Sequence, residues 1–381
     1  MNILLINTLY FPYKVGGAEV SVRLLAEGLV KSGHIVTVLS IHEGKDLKID
    51  MINGVTVYYI PFANFYWQFS NSNHNAVKRL CWHLVDNYNP FLKKTIKKII
   101  KEINPDIVHT NNLSGISVAV WDIAEKNGCK IVHTSRDYYL LHPNCKMYKN
   151  NCNMTGHESS VKLWSFFKKI KSKKVDFYVG ISDYIRNKHI DAGFFDKDKA
   201  ITIYNAVDNK DMSYNSTTSE GARNVGFIGR LTKEKGFDIF CRMAEKYNNQ
   251  NFIAAGEFEY NKDAEELKEL ASKNNIKLLG HCPVTEFMKM VDLIVLPIKW
   301  QEPFGRVVLE SVFSGKIILT NKVGGITELA SMLPNIYFLE DIQDLNDVPQ
   351  YKQIPNQAID KFNSGSITRE YEKIFEGLLN G

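Results

Sequence analysis

Long hydrophobic runs are absent from this sequence of 381 residues. The longest ones, such as DLIVLP (292–297) and KIILT (316–320), have the length of a buried strand and fall far short of a membrane span. The first residues, MNILLIN, lack the basic segment and cleavage site of a secretory signal and are expected to form a strand. The six cysteines match no secreted disulfide framework. These absences favour a cytoplasmic protein.

The composition is that of a soluble globular protein, because 44% of the residues are apolar and 23% are charged. The length favours two domains, each large enough to bury its own hydrophobic core. The net charge of +5 is small, and no motif of an RNA- or DNA-binding module accompanies it. We therefore expect no nucleic-acid partner.

Positive charge is concentrated in two segments, KKTIKKIIK (93–101) and KLWSFFKKIKSKK (162–174). In the first, Ile96, Ile99 and Ile100 have the spacing of a buried helical stripe, so we interpret its lysines as a solvated face. In the second, six lysines accompany three aromatic residues, a composition that suits an anionic membrane surface. A solvated helix face is the alternative there. A peripheral contact with the inner face of the plasma membrane is the expectation that we carry forward.

The first half of the chain alternates hydrophobic strands with helices, which predicts a parallel sheet covered on both faces. The doublet Gly16-Gly17 opens a helix that ends at Gly33. That doublet is not part of a G-x-G-x-x-G motif, which argues against NAD binding. The predicted strands are NILLIN (2–7), HIVTVLS (34–40), GVTVYYI (54–60), DIVHT (106–110), KIVHT (130–134), DFYVGI (176–181) and AITIYN (200–205).

A polar segment without periodicity, 207–223, is predicted to be a linker to a second series of strands and helices. We place one domain at 1–206, the second at 224–365 and a final amphipathic helix at 366–381. The predicted fold class is α/β, with two doubly wound Rossmann-like domains facing across a cleft. The strands of the second domain are NVGFIGR (224–230), NFIAAGE (251–257), IKLLG (276–280), DLIVLP, KIILT and NIYFLE (335–340).

Two glutamates, Glu302 and Glu310, stand eight residues apart in EPFGRVVLE (302–310). If the intervening residues are helical, the rise per residue puts these carboxylates roughly 12 Å apart. The two carboxyl groups of a glycosidase lie only ~5 to 9.5 Å apart, so an acid and base pair is excluded. The spacing instead suits two contacts along one elongated polar ligand.

The loop GRLTKEKGF (229–237) follows a predicted strand and opens a helix, where backbone amides and the helix dipole favour anions. Arg230 and Lys235 add two cations, which suit a diphosphate leaving group because negative charge grows on it as its bond breaks. A basic loop that serves only solubility is the alternative. Gly305 and Arg306 precede another helix and can bring further amides to the same phosphates.

Four groups of motifs, spread over nearly the whole chain, give a resemblance to family four glycosyltransferases, which have the GT-B fold. Each motif is common alone, but their order and spacing are specific. They are GGAE (16–19), GISDYI (180–185) followed by YNAVD (204–208), GRLTKEKG (229–236), and EPFGRVVLE with VGGITEL (323–329).

This resemblance implies a retaining transferase that moves a sugar from a nucleotide-diphosphate sugar to a saccharide or lipid-linked acceptor, in bacterial polysaccharide or lipopolysaccharide assembly. It assigns catalysis to Arg230 and Lys235 on the diphosphate and to Glu302 on the sugar, with Glu310 on the ribose. It also implies that the final helix packs back on the first domain. The donor-binding residues that it implies are Gly16, Gly17, Arg230, Lys235, Glu302, Phe304, Gly305, Arg306 and Glu310.

The segment HTSRDYYLLHP (133–143) departs from the family at Arg136-Asp137, where related enzymes commonly have His-Asp. Arginine stays protonated at neutral pH and cannot act as a base. We therefore expect Arg136 to bind an anionic group of the acceptor and Asp137 to orient it. His109 and His133 are interpreted as structural.

Metal binding is not expected. The cysteines in the set His142, Cys145, Cys152 and His157 lack the short spacing of zinc sites. Asp196-Lys197-Asp198 resembles a D-x-D motif but reads as a solvated turn. Transfer without a metal or other cofactor follows, with Arg230 and Lys235 neutralising the diphosphate.

Two other functions stay open at this point. A sugar-nucleotide epimerase or a phosphorylase would use the same fold, and a nucleotide-sugar-binding protein would use the same site without turnover. Release of nucleoside diphosphate together with a new glycosidic product distinguishes transfer from both. The motifs specify neither the donor nor the acceptor.

Overall fold

The computed structural model describes residues 1–13, 16–70, 74–207, 223–259 and 262–381. The chain divides into two compact α/β units. The first unit comprises Met1–Met147, Thr155–Ala206 and Ser364–Gly381, and the second comprises Tyr148–Met154 and Val207–Asn363. Apart from its two end residues, the predicted linker 207–223 lies outside the described residues.

The strands, in chain order, are β1 (Asn2–Ile6), β2 (Ile35–His42), β3 (Lys48–Ile52), β4 (Val55–Pro61), β5 (Ile107–Thr110), β6 (Lys130–Ser135), β7 (Tyr148–Lys149), β8 (Cys152–Asn153), β9 (Phe177–Gly180), β10 (Ala200–Thr202), β11 (Asn224–Ile228), β12 (Asn251–Ala255), β13 (Lys277–Leu278), β14 (Leu293–Leu296), β15 (Ile317–Thr320) and β16 (Ile336–Phe338).

The α-helices are α1 (Gly17–Lys31), α2 (Ala76–Asn87), α3 (Lys93–Ile103), α4 (Ala119–Lys126), α5 (Ser159–Ser172), α6 (Asp183–Asp191), α7 (Phe237–Lys246), α8 (Ala264–Lys273), α9 (Val284–Met290), α10 (Arg306–Phe313), α11 (Gly325–Met332), α12 (Asn356–Phe362) and α13 (Ser364–Asn380).

The sheet of the first unit has the order β10-β9-β6-β5-β1-β2-β4-β3, and all neighbours are parallel except the edge pair β3 and β4. In its centre, Ile3–Ile6 of β1 pair with Ile107–Thr110 on one side and with Val36–Leu39 on the other. These central strands are almost continuously apolar because helices cover both faces of a parallel sheet. The direction of chain progression reverses between β1 and β5.

The sheet of the second unit has the order β13-β12-β11-β14-β15-β16 and is parallel throughout. Counted within this unit, that order is 3-2-1-4-5-6, which is the doubly wound order of Rossmann folds. The predicted α/β class with two doubly wound units is therefore confirmed. The order reverses between β11 and β14, and ligands of such sheets bind beyond the carboxyl ends of the strands at the reversal.

The C-terminal helix α13 packs within the first unit, against α1. A Cβ atom on Gly28 of α1 would lie 2.2 Å from the Thr368 hydroxyl oxygen, so glycine allows the two helices to approach closely. Beyond this contact, His34 lies 3.0 Å from the Glu372 carboxylate. The buried side of α13 consists of Ile367, Thr368, Tyr371, Ile374 and Phe375.

Some elements differ from the sequence-based expectation. The edge strand β3 is absent from the predicted list because its residues are mostly exposed and lack a buried apolar pattern. The two-residue strands β7 and β8 are too short to give a periodic signal. Their segment, Tyr148–Met154, belongs to the second unit, whereas the sequence analysis placed it in the first domain.

Candidate functional site

Two loops of the second unit begin at the strands where the order of the sheet reverses. The first runs from Gly229 to Gly236 and follows β11, and the second runs from Pro297 to Gly305 and follows β14. Because β11 and β14 are parallel neighbours, their carboxyl ends open at the same edge of the sheet. The geometry thus places GRLTKEKG and EPFG at the position where doubly wound sheets bind ligands.

An ion pair joins these two loops. The Lys235 ammonium lies 2.6 Å from a carboxylate oxygen of Glu302, and both side chains are mostly buried. The same ammonium lies 5.1 Å from the centre of the Trp300 ring. Two of the three predicted catalytic residues are therefore adjacent, and a ligand at this place meets a cation and a carboxylate together.

Arg230 lies near the same carboxylate. Its guanidinium contacts Glu259 in an ion pair. Burial lowers the pKa of Arg230, while the nearby Glu234 and Glu302 act in the opposite direction. Arg230, Lys235 and Glu302 thus form one charged group at the reversal of the sheet.

The turn Gly324-Gly325 holds the Glu302 loop from a third side. The Gly324 amide donates to the Gln301 side-chain oxygen at 2.7 Å, and the Gly325 amide donates to the Glu302 carbonyl at 2.8 Å. A Cβ atom on Gly324, whose φ is 49°, would lie 2.2 Å from that carbonyl oxygen. The VGG motif therefore serves the close packing of two backbone segments.

Arg306 and Glu310 form an ion pair at the start of α10. The Arg306 Nε atom lies 2.7 Å from Glu310 Oε1, and both side chains are buried. The helix begins after Gly305, whose positive φ of 93° suits glycine. Phe304 is buried beside this turn. The side chain of Arg306 thus pairs with Glu310, while the prediction that Gly305 and Arg306 bring backbone amides to a phosphate stays a prediction.

In the first unit, Gly16 and Gly17 form the N-terminal end of α1, after β1 at the reversal of that sheet. The Gly16 amide donates to the Glu19 carboxylate at 2.9 Å, so the first turn of the helix already holds a buried acidic side chain. The doublet therefore lies where the sequence analysis expected a ligand-binding turn.

Arg136 follows β6 and is buried. Its Nε atom donates to the Asn111 side-chain oxygen at 2.9 Å, and a terminal nitrogen donates to Asn205 at 2.6 Å. Its positive charge lowers the pKa of Tyr371, although burial of that hydroxyl is the larger effect and raises the pKa overall. Two asparagines thus orient the guanidinium that we predicted to bind the acceptor.

Asp137, the second predicted acceptor residue, has a pKa raised to about 6 by burial. The Tyr139 amide donates to its carboxylate at 2.8 Å, which lowers the pKa, as does the charge of Lys168. Lys168 itself is buried and donates to the Tyr139 carbonyl at 2.7 Å. His109 and His133 are also buried, with lowered pKa values.

The residues considered for metal binding have separate roles in the structure. Cys145 is half-buried, with a pKa raised well above its ordinary value by burial, whereas Cys152 is exposed on β8. Asp196 forms an exposed ion pair with Lys173 at 3.3 Å. Within the described residues, histidine, cysteine, aspartate and glutamate side chains form no group of three or more that could hold a metal ion.

Several residues of the site were assigned no role from the sequence, although Asn205 lies within the YNAVD motif. Trp300 and Gln301 precede the EPFG motif and contact Lys235 and the Gly324 turn. Asn111 and Asn205, which orient Arg136, lie 25 and 69 residues from it in the chain. The position of Asn111 just after β5 and the place of Asn205 in YNAVD are the signals that could have found them, because polar residues at strand ends often serve a site.

The fold is that of the GT-B class, and solved structures of that fold are similar to this chain. Anabaena HepE, crystallised with UDP and glucose, is similar at a TM-score of 0.68 and 17% identity, over 98% of this chain and 99% of HepE.

The chain belongs to the family described as Glycosyltransferase Family 4, whose model matches residues 15–211. The model described as Glycosyl transferases group 1 matches residues 209–345. A Klebsiella pneumoniae relative, described as an uncharacterized 42.6 kDa protein in the cps region, is 55% identical over 99% of this chain and all of its own length. The GPI3 subunit of phosphatidylinositol N-acetylglucosaminyltransferase from Saccharomyces cerevisiae is 24% identical, over 96% of this chain and 76% of its own.

Proposed function

We propose that this glycosyltransferase is retaining and moves a sugar from a nucleotide-diphosphate sugar to a saccharide or lipid-linked saccharide. The observation that carries the proposal is the pairing of Lys235 with Glu302 at the reversal of the second sheet. A nucleotide sugar has its diphosphate next to its sugar, so it matches a cation next to a carboxylate.

In this proposal the donor binds along the second unit. Arg230 and Lys235 hold the diphosphate, and the amides at the N-terminus of α10 add to the positive potential there. Glu302 accepts hydrogen bonds from hydroxyl groups of the sugar. Glu310 accepts from the ribose, as acidic residues do in other nucleotide sites.

The chemistry follows from this placement. The bond between the anomeric carbon and the diphosphate oxygen breaks, and Arg230 and Lys235 stabilise the charge that develops on the leaving group. The acceptor hydroxyl forms the new bond on the same face of the sugar. Its proton passes to an oxygen of the departing diphosphate. The two cations supply the charge neutralisation, so we propose that the reaction needs no metal ion.

The acceptor is assigned to the first unit, at Arg136 and Asp137. The guanidinium of Arg136, oriented by two asparagine side chains, offers a positive charge that suits an anionic acceptor such as a lipid-linked saccharide diphosphate. The 55% identical relative from a cps region supports a role in assembly of a surface polysaccharide. The name of the yeast relative, which specifies a lipid, favours a lipid-linked acceptor.

The test begins with thermal unfolding in the presence of UDP, GDP, ADP and CMP sugars. A ligand at 100 times its dissociation constant adds roughly 2.7 kcal/mol of stability, which is readily measured. The ligand found in this way is then incubated with lipid-linked saccharides. We expect release of nucleoside diphosphate with a new glycosidic product, both slowed in Glu302→Ala. Interconversion of donor sugars without release indicates an epimerase, and binding without turnover indicates a binding protein.

A peripheral membrane contact is part of the proposal, and the structure changes which side chains would make it. Within 162–174, Trp164 and Phe167 are half-buried and lie 5.8 Å from His83 and 5.1 Å from Tyr88 between ring centres. Leu163, Phe166 and Ile170 point outward instead, with exposures of 72%, 66% and 53%.

The neighbouring helix α2 packs against α5 through the His83 and Trp164 rings. Its exposed apolar residues, Val77, Leu80 and Leu84, have the same helical spacing as those of α5. Exposed cations accompany both helices, and α5 contains no acidic residue. An anionic bilayer fits an apolar face of this kind with a cationic border. Among the described helices, none combines the length and hydropathy needed to cross a membrane.

We expect replacement of Leu163, Phe166 and Ile170 by serine to reduce flotation of the protein with vesicles that contain anionic phosphatidylglycerol. Serine at Ile49 and Met51, which are equally exposed on β3, provides the matched control and should leave flotation unchanged. Equal flotation of the α5 variant and the wild type would reject the contact. If the wild type floats equally well with vesicles that lack anionic lipid, the exposed cations do not contribute to the membrane contact.

A further inference from the structure

A short hairpin from the first half of the chain is part of the second unit. The chain leaves the first unit after Met147, forms β7 and β8, and re-enters it at Thr155. Tyr148 pairs with Asn153 across the hairpin. The turn residues Asn150 and Asn151 both have positive φ values, 51° and 60°. Two such residues are typical of the tight turn whose twist matches that of the flanking strands.

Asn153 of this hairpin holds the loop that carries Glu302. Its side-chain amide donates to the Lys299 carbonyl at 2.9 Å, and its side-chain oxygen accepts from the Gln301 amide at 3.0 Å. Both ends of one carboxamide thus bind the backbone on either side of Trp300. Asparagine suits this position because it offers a donor and an acceptor on one short, planar group.

The rest of the Lys299–Glu302 loop is anchored to its own unit. The Lys299 amide donates to the Glu234 carbonyl at 2.9 Å, and its ammonium lies 2.8 Å from Asp238. Gln301 and Glu302 accept from the Gly324 and Gly325 amides, as described above. The hairpin adds two further hydrogen bonds to this loop, both from the side chain of Asn153.

Tyr148, on the other strand of the hairpin, lies against the same region. Burial raises the pKa of its hydroxyl, and the carboxylates of Glu234 and Asp238 raise it further. Because Glu234 belongs to the loop of Arg230 and Lys235, the hairpin lies beside both loops of the candidate donor site. The strand of Tyr148 therefore also lies close to this region, in addition to the hydrogen bonds of Asn153.

We infer that Asn153 is a positioning residue, which fixes the Lys299–Glu302 loop so that Glu302 meets the sugar of the donor. This inference rests on the proposed function. Glu302 follows directly after Gln301, so a loop released at the Gln301 amide shifts the carboxylate while leaving Arg230 in place. Misplacement by ~1 Å can cost about 10²-fold in rate.

The test compares Asn153→Ala with Lys149→Ala, a substitution of an exposed residue on the same hairpin. The affinity for a nucleotide sugar should fall roughly tenfold in Asn153→Ala, since the loop loses the two hydrogen bonds that position Glu302. The affinity for the nucleoside diphosphate alone should stay near the wild-type value, because it lacks the sugar that Glu302 contacts. Lys149→Ala should change neither affinity.

Asn153→Asp provides a second variant of nearly the same size. It keeps the acceptor for the Gln301 amide and loses the donor to the Lys299 carbonyl, so a smaller selective loss is expected. Equal weakening of nucleotide sugar and nucleoside diphosphate in both variants would show a merely structural role. Unchanged binding of both ligands would overturn the inference.

Hydrogen exchange separates this inference from the proposed function. In the protein without ligand, the Gln301 amide should exchange faster in Asn153→Ala than in the wild type, and Lys149→Ala should match the wild type. If the wild type binds no nucleotide sugar, the proposed function fails while the exchange data still report on the loop. Unchanged exchange at Gln301 would mean that Asn153 does not hold it.

Discussion

Replacement of Lys235 by methionine is expected to lower kcat/KM for sugar transfer by ~10²-fold or more, as removal of one preorganised charge stabiliser does in other enzymes. Methionine keeps the aliphatic contact with Trp300 but removes the charge. It therefore leaves the developing charge of the diphosphate to Arg230 alone and deprives Glu302 of its partner at 2.6 Å. Most of the loss should appear in kcat, because the charge is largest in the transition state.

Lys233 offers a matched control in the same loop. Its ammonium pairs with Glu266 at 2.6 Å and with Asp263 at 3.3 Å, both on the side of α8. A partly exposed pair of this kind is worth only ~0 to 1 kcal/mol, so Lys233→Met should retain nearly full activity. Initial rates with varied donor and saturating acceptor measure both variants. Equal losses in the two would mean that the loop needs positive charge in general rather than Lys235.

The fold was accessible from sequence because its strands carry strong local signals. The runs ILLI in NILLIN and LIVL in DLIVLP are wholly apolar and buried, and both lie in central strands of their sheets. Glycine residues in the segments that follow such strands then indicated the loops of the candidate site. Register and strand ends were less accessible, as β10 shows, since it stops at Thr202 within the predicted AITIYN.

Contacts between distant segments could not be predicted in this way. Asn153 lies 146 residues from Lys299 in the chain, and no spacing rule relates the two. The orientation of α5 depends on which of its aromatic rings pack against other rings. Trp164 packs against His83 and Phe167 against Tyr88, both from another segment of the chain. The composition of 162–174 indicated an amphipathic surface, but the packing decided which side chains face outward.

Arg306→Met is expected to lower the free energy of unfolding by roughly 3 to 5 kcal/mol, the usual cost of removing one partner from a buried ion pair. Arg306 and Glu310 are both buried and lie 2.7 Å apart, so the variant leaves the Glu310 carboxylate without this partner. Urea unfolding, followed by circular dichroism, measures the effect. A loss below ~1 kcal/mol would place the pair among weak surface pairs.

The double variant Arg306→Met/Glu310→Leu distinguishes the structural role of this pair from binding. Replacing a buried pair by apolar residues of similar size is often neutral, so the double variant should be clearly more stable than Arg306→Met alone. If Glu310 holds the ribose, the affinity of this double variant for nucleoside diphosphate should be about tenfold lower than that of the wild type, because one charged hydrogen bond is lost. Calorimetric titration measures that affinity. Recovered stability with unchanged affinity would assign Glu310 to the core of α10 and remove it from the donor site.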